Sequence, residues 1–243
     1  MKAMILAAGI GTRLRPLTDT APKALIDVGG ATMLEHVVRR LQAAGVDAII
    51  VNLHHLPGAI RAFFQAKGNF GLRVEYSYET DLLDTGGGLK KAAWFFDDGR
   101  PFFLHNADVY SDLDLSMLYS AHLSGNAAAT LAVRKRASSR MLLFTREGLL
   151  CGREVASEGS CEWAAAPVSD ADRLAFDGVH VISPELLFRI SEDGVFPIHR
   201  PYLRLAGAGM RIRSFRSDGS YWKDIGRIDT LEELRRDLAS RKT

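Results

Sequence analysis

The chain is poor in the residues that staple, anchor or charge a protein. Of its 243 residues only two are cysteines, Cys151 and Cys161. Two thiols cannot build a disulfide framework. A chain of this length buries enough apolar surface to need none, so both read as free thiols of a reducing compartment. No run approaches the ~18 apolar residues of a membrane span. The apolar stretch after Lys2 is too short for a secretory signal and runs straight into Gly9 and Arg13. The expected setting is cytoplasmic, with no membrane partner. Charge of one sign is also scarce: 31 basic and 29 acidic residues leave a formal net charge of +2. That balance argues against a nucleic-acid partner gripped by a basic face, so any electropositive site has to be local. Internal repeats, low-complexity tracts and Ser/Gly linkers are missing, which favours one continuous domain. The seven histidines show no zinc spacing with the two cysteines, and neither a G-x-S-x-G elbow nor a Cys/His pairing suggests acyl transfer.

What is present is an alternation of short apolar runs with helical patterns. Lys2–Ala8, Ala48–Leu53 and Pro101–Asn106 read as buried strands, and Arg73–Tyr78 alternates like a strand. Between them, Thr32–Ala44 reads as a helix. Thr32 and Glu35 form a capping-box pattern, with Leu34, Val37, Val38 and Leu41 at helical spacing. Pro57–Ala66 starts on a proline suited to a first helical turn, and Leu89–Phe96 is a further helix. Beyond about Leu115 the rhythm loosens. Met117–Leu123 looks helical, Ala127–Val133 and Phe176–Ser183 look like strands, and Pro184–Ile190 looks helical. The spacing predicts a last helix over Thr230–Leu238, with Thr230 and Glu233 as its box and Leu231, Leu234 and Leu238 inward. Strands alternating with helices at this spacing predict βαβ units: an α/β fold with a Rossmann-like, mostly parallel sheet flanked by helices. Ligands of such sheets lie beyond the carboxyl ends of the strands.

One segment following a strand is conspicuous: GIGTRLRPLTDTAPK, residues 9–23. A dinucleotide fingerprint needs glycine where Leu14 stands, and the spacing of a P-loop is absent. A surface loop and a phosphate cradle both remain open. Gly9 and Gly11 tolerate close approach of an anion to backbone N–H groups, Arg13 offers a planar fork, and Lys23 offers a point charge. His54 and His55 follow the strand Ala48–Leu53, as structural histidines or as a metal pair or base.

The run L-A-A-G-x-G-T-R-L-x-P-L-T, closing on Pro22-Lys23-Ala24-Leu25, closely resembles the signature of the sugar-1-phosphate nucleotidyltransferases. Three further elements resemble the same family: Leu83-Asp84-Thr85-Gly86-Gly87, Asn106-Ala107-Asp108 and Tyr221-Trp222-Lys223-Asp224-Ile225-Gly226. The resemblance implies a nucleoside triphosphate and a sugar 1-phosphate as partners, giving an NDP-sugar and pyrophosphate. It implies that Ala8, Gly9, Gly11, Thr12, Gly86, Gly87 and Asn106 bind the nucleotide, and that Arg13 and Lys23 act on its phosphates. Asp108 and Asp224 would hold Mg²⁺, with Mn²⁺ able to substitute. The sugar would fall to Asp84, Asp177 and Gly178, in a smaller sugar-facing lobe. Residues 1–115 would form the nucleotide-binding half and 116–243 the sugar-binding half. The family's Glu-Lys-Pro element is absent, with Glu162-Trp163-Ala164 the nearest text; Arg134, Arg136 and Arg140 are either its substitutes or a solvated basic surface. Short length and the D-T-G-G loop resemble small members such as N-acetylmuramate 1-phosphate uridylyltransferases. Mannose- or heptose-1-phosphate guanylyltransferases, choline-phosphate cytidylyltransferases and a catalytically silent, nucleotide-binding regulatory paralogue remain alternatives. Oligomeric state leaves no trace in the sequence.

Overall fold

The structure, a computed structural model, describes residues 1–155 and 159–241. It shows the expected α/β class, with a mostly parallel central sheet flanked by helices. Two compact units interleave along the chain rather than dividing it near residue 115. One comprises Met1–Leu82, His105–Leu113 and Tyr221–Thr243; the other comprises Leu83–Leu104 and Asp114–Ser220.

The first unit carries three parallel strands in a row. Lys2–Leu6 pairs with Ala48–Leu53, which pairs in turn with Arg73–Tyr78, all three parallel. Ala48–Leu53 is buried at every residue, as a strand covered on both faces must be. Thr32 caps the helix Met33–Ala43 by accepting from the Glu35 N–H at 3.1 Å. The reciprocal half of the box does not form. The Glu35 carboxylate turns instead to Arg39 at 2.7 Å and Lys67 at 2.9 Å, which hold it below the usual carboxylate range despite its burial.

The final helix begins at Ile228, two residues before the expected cap, and ends at Ser240. The Thr230 hydroxyl donates back to the Arg227 carbonyl, and Glu233 pairs with Lys223 at 2.5 Å. Leu231, Leu234 and Leu238 do face inward. They close a cluster with Leu14, Ile26 and Met33. Each such leucine buried contributes roughly 1.5–3 kcal/mol. The residue that spoils a dinucleotide fingerprint, Leu14, is therefore the apolar anchor of its loop, at 0 % exposure.

The second unit is richer in antiparallel pairing. Asp172–Ile182 runs antiparallel to both Ala129–Arg134 and Arg140–Phe144, and the latter continues through Leu150–Val155 to Ser160–Trp163. Residues 156–158 lie outside the described residues. Ile212–Arg216 joins Ala129–Arg134 in parallel, and the helix His199–Gly207 precedes it. Neither element is expected from the sequence, although the helix buries Tyr202, Leu203 and Leu205 on one side. The helix expected at Leu89 starts at Asp84, so the D-T-G-G segment is its first turn and not a free loop before it.

Candidate active site

In the first unit the strand Lys2–Leu6 ends at the glycine-rich segment. Gly11 has φ +70°, and a Cβ there would lie 2.9 Å from Thr18 Cγ2, so only glycine fits both the backbone and the space. Its carbonyl accepts from the Leu14 N–H and from the Thr18 hydroxyl, both at 2.9 Å. Gly9 differs, because a Cβ there would meet nothing within 4 Å. Arg13 is exposed. It lines an open cavity of about 520 Å³ with Arg227, Ile228 and Asp229. Ala8 is buried, while Thr12 is exposed beside Arg13.

Asp108 and Asp224, far apart in the sequence, converge through a short antiparallel pairing. Val109–Ser111 pairs with Trp222–Asp224, placing Asp224 opposite Val109, and the Ile225 N–H donates to the Asp108 carbonyl at 3.0 Å. The Ala107 N–H donates to the Leu6 carbonyl at 3.0 Å, so this turn sits at the end of the first strand. Ala107 is buried. Between the two carboxylates stands Lys23. Its Nζ is 2.5 Å from Asp108 Oδ2 and 3.9 Å from Asp224 Oδ1, with the lysine side chain only 11 % exposed. Burial raises the Asp224 carboxyl above the usual range, the Asp108 charge raises it further, and Lys23 opposes both. Gly226 closes the group. Its N–H donates to Asp224 Oδ1 at 2.5 Å, and a Cβ would stand 2.8 Å from that oxygen and 2.9 Å from Arg13 Nη2. Arg13, Lys23, Asp108 and Asp224 are thus one cluster. Asn106 ends the strand preceding Asp108, partly buried, with its carbonyl bonded to His105 Nδ1.

The remaining expected residues belong to the second unit. The Gly86 and Gly87 amides both donate to the Phe196 carbonyl, at 3.0 and 3.2 Å. A Cβ on Gly86 would fall 2.5 Å from the Phe196 ring, and one on Gly87 would fall 2.5 Å from the Gly194 carbonyl. Close packing therefore accounts for these glycines, and their amides are already committed. Asp84, at φ +60°, accepts from the Thr85 N–H through its side chain. Asp177 is 1 % exposed, with the Arg134 Nε donating to both of its oxygens at 2.9 and 2.8 Å and the Ser217 hydroxyl donating at 2.5 Å. Burial nonetheless raises its carboxyl above the usual range. Gly178 lies where the pairing register shifts, at φ +79°. Arg134 is thus neither a solvated charge nor an open clamp, and Arg136 donates to the Phe176 carbonyl; only Arg140 is exposed.

His54 and His55 are taken up by the carbonyls of Glu79 and Thr18. Two residues with no expected role touch the loop or its root: Thr18, and Asn52, whose side chain meets the Ala7 amide. Asn52 has one sequence signal, a lone amide within the apolar run AIIVNL.

Among the described residues no group of three or more His, Cys, Asp or Glu stands ready to hold a metal, and no helix is long and apolar enough to cross a membrane. The paired carboxylates are a donor set suited to Mg²⁺ completed by phosphate oxygens. Lys23 sets one positive charge against the two carboxylates.

The chain is 31% identical over 228 residues to a mannose-1-phosphate guanyltransferase of Yarrowia lipolytica, across 93% of this chain and 61% of that protein. It is 28% identical to a UTP–glucose-1-phosphate uridylyltransferase of Synechocystis, across 100% of this chain and 64% of that protein. The chain thus spans about three fifths of the length of these curated relatives. Among solved structures, HddC from Yersinia pseudotuberculosis superposes with a TM-score of 0.78 at 20% identity, covering 98% of this chain and 99% of that one. A UDP-glucose pyrophosphorylase complexed with UDP-glucose gives 0.78 at 17% identity, covering 99% and 98%. At such identities the likeness is one of fold. The family described as nucleotidyl transferase matches residues 2–141, more than half of the chain and the segment that holds Arg13, Lys23 and Asp108. The chain therefore belongs to the nucleotidyl transferase family.

Proposed function

We propose that the protein transfers a nucleotidyl group from a nucleoside triphosphate to a sugar 1-phosphate, releasing pyrophosphate. The observation that carries this reading is the meeting of Asp108, Asp224 and Lys23, with Arg13 beside them, at the end of the first strand. In such a transfer an ionised phosphate oxygen of the sugar 1-phosphate attacks the α-phosphorus, and pyrophosphate leaves in line. The attacking oxygen is already a nucleophile, so no protein base is required. What the protein supplies is position and charge. The backbone around Gly9 and Gly11 would cradle the triphosphate. Arg13 would steady the leaving β- and γ-phosphates, and Lys23 the α-phosphate as charge develops there. Asp108 and Asp224 would hold Mg²⁺ or Mn²⁺. Bound there, the ion would neutralise charge on the phosphates brought together.

Relatives named mannose-1-phosphate guanyltransferase support placing GTP with mannose 1-phosphate first among the substrate pairs. UTP with glucose 1-phosphate draws the same kind of support from the Synechocystis relative. UTP with N-acetylmuramate 1-phosphate is the pair expected from the D-T-G-G loop. The buried Arg134–Asp177 pair acts in this reading as scaffold in the second unit rather than as a sugar contact. The test is pyrophosphate release from four triphosphates against a panel of sugar 1-phosphates, with Mg²⁺ and with EDTA. Release with one pair that stops in EDTA and returns with Mg²⁺ is expected. Tight nucleotide binding without release from any pair would overturn the reading in favour of a silent regulatory member.

A further inference from the structure

Asn52 is the one polar side chain in a strand that is otherwise apolar, and it is 3 % exposed. Its two ends do different work. Oδ1 accepts from the Ala7 N–H at 2.7 Å, and Nδ2 donates to Glu79 Oε1 at 2.7 Å. Chemistry fixes that orientation: a backbone N–H can only donate, and a carboxylate oxygen accepts. Glu79, 5 % exposed, is itself clamped. Its N–H donates to the Leu53 carbonyl at 2.8 Å, and its own carbonyl accepts from His54 Nδ1 at 2.9 Å, which places the imidazole proton on Nδ1. Ala7 is the residue at which the first strand gives way to the glycine-rich segment. The residue before it, Leu6, is held through its carbonyl by Ala107, the neighbour of Asp108. Asn52 thus bridges the root of that segment to a locked acidic residue just past the end of the next strand over.

We propose that Asn52 is a positioning residue for the nucleotide: through the chain Ala7–Asn52–Glu79 it sets the direction in which the segment Ala7–Gly11 leaves the sheet. The proposal rests on reading that segment as the triphosphate cradle. The far end of the segment is held independently by the Gly11 carbonyl, with its bonds from Leu14 and Thr18. Between the two anchors, Gly9 has open space on its Cβ side. Fixing both ends leaves the middle free to approach a ligand while its path stays defined, which lowers the ordering cost at binding. An amide is the side chain that serves both neighbours. Aspartate would face the Glu79 carboxylate with a second negative oxygen, and leucine would offer the Ala7 N–H no acceptor.

The test uses the whole chain and two readouts. Amide hydrogen exchange by NMR in Asn52→Leu should show the Ala7 amide exchanging at least tenfold faster, while Met4 and Ile5 keep their protection. Titration with a fluorescent GTP or UTP analogue should show Asn52→Asp binding at least tenfold more weakly than the wild type. Adding Glu79→Gln to it should restore affinity to within about threefold. In that double variant the introduced carboxylate accepts both from the Ala7 N–H and from the introduced amide, and the total charge is unchanged. Each variant is titrated at a temperature where its circular dichroism shows it folded, so a loss of bulk stability is not read as weak binding. Unchanged Ala7 exchange in Asn52→Leu would overturn the proposal. So would a folded double variant that binds no better than Asn52→Asp. If the wild type itself binds neither nucleotide, the functional reading fails, and the Ala7 exchange still decides whether the tether exists.

Discussion

Two glycine-rich segments, one leading into a helical turn and the other forming one, put the same residue to opposite use. In Gly9–Gly11 the backbone stays accessible: a Cβ added at Gly9 would have nothing within 4 Å, and the neighbouring Arg13 is exposed. In Asp84–Gly87 the amides are spent on Phe196, and the missing side chains make room for Phe196 and Gly194. The charged groups divide the same way. The Asp108 and Asp224 side chains beside Lys23 keep 31% and 44% of their surface exposed, whereas Arg134 and Asp177 keep 11% and 1%. Lys23, at 11%, is as covered as Arg134, so the difference lies in the carboxylates: open ones can meet a ligand, and the sealed one holds a fold together. Glycine content and opposite charge alone do not separate the two cases. Access does.

The largest effect expected from that contrast is on stability. Asp177→Ala should leave Arg134 buried without its carboxylate and cost about 3–5 kcal/mol, read by chemical denaturation. A well-folded variant that loses only the use of sugar 1-phosphate would return Asp177 to the binding role. Next comes the open cluster. Arg13→Ala should cost roughly 2–4 kcal/mol in kcat/KM with little change in Tm, since an exposed guanidinium supports little core. Asp108→Asn and Asp224→Asn should each remove most of the rate, and their combination should cost much less than the sum because they serve one site. Wild-type turnover in any of these would take that residue out of the mechanism.

A smaller and sharper pair compares the glycines directly. Gly86→Ala should lower stability by about 1–3 kcal/mol through overlap with Phe196. Gly9→Ala should leave stability within about 0.5 kcal/mol and weaken nucleotide binding instead. Equal behaviour of the two would erase the difference between an open and a packed glycine segment.

The last expected effect is a pH response in the second unit. His122, buried between Thr130 and Ser183, has its pKa lowered to about 4 by desolvation. Between the unfolded value near 6.5 and that folded value, the native state holds fewer protons, so stability present above pH 6.5 falls as pH drops. His122→Gln should flatten the slope, removing about 2 kcal/mol of the loss by pH 5. An unchanged slope would mean that the imidazole charges without cost.

Much of the first unit was legible in the sequence. Ala48–Leu53, Pro57–Ala66 and Arg73–Tyr78 form with the bounds their patterns suggest, because apolar periodicity and a proline at the first helical turn act locally. The last helix was misplaced at its start, because Asp229 and Thr230 satisfy backbone groups within a turn that already begins at Ile228. Its inward leucines were nevertheless correct, since they repeat with the helix itself.

By itself the sequence determined the alternation of strands and helices, the glycine positions and the kinds of charge carried by the loops. Tertiary structure alone decided which of those charges meet. Asp108 reaches Asp224 through the pairing of Val109–Ser111 with Trp222–Asp224, Asp177 is closed off by Arg134 and Ser217, and Asn52 joins Ala7 to Glu79. Such contacts leave no period in the chain. A side chain's burial and partners depend on residues brought to it from elsewhere, and those set whether a carboxylate is open to a ligand or sealed within the fold.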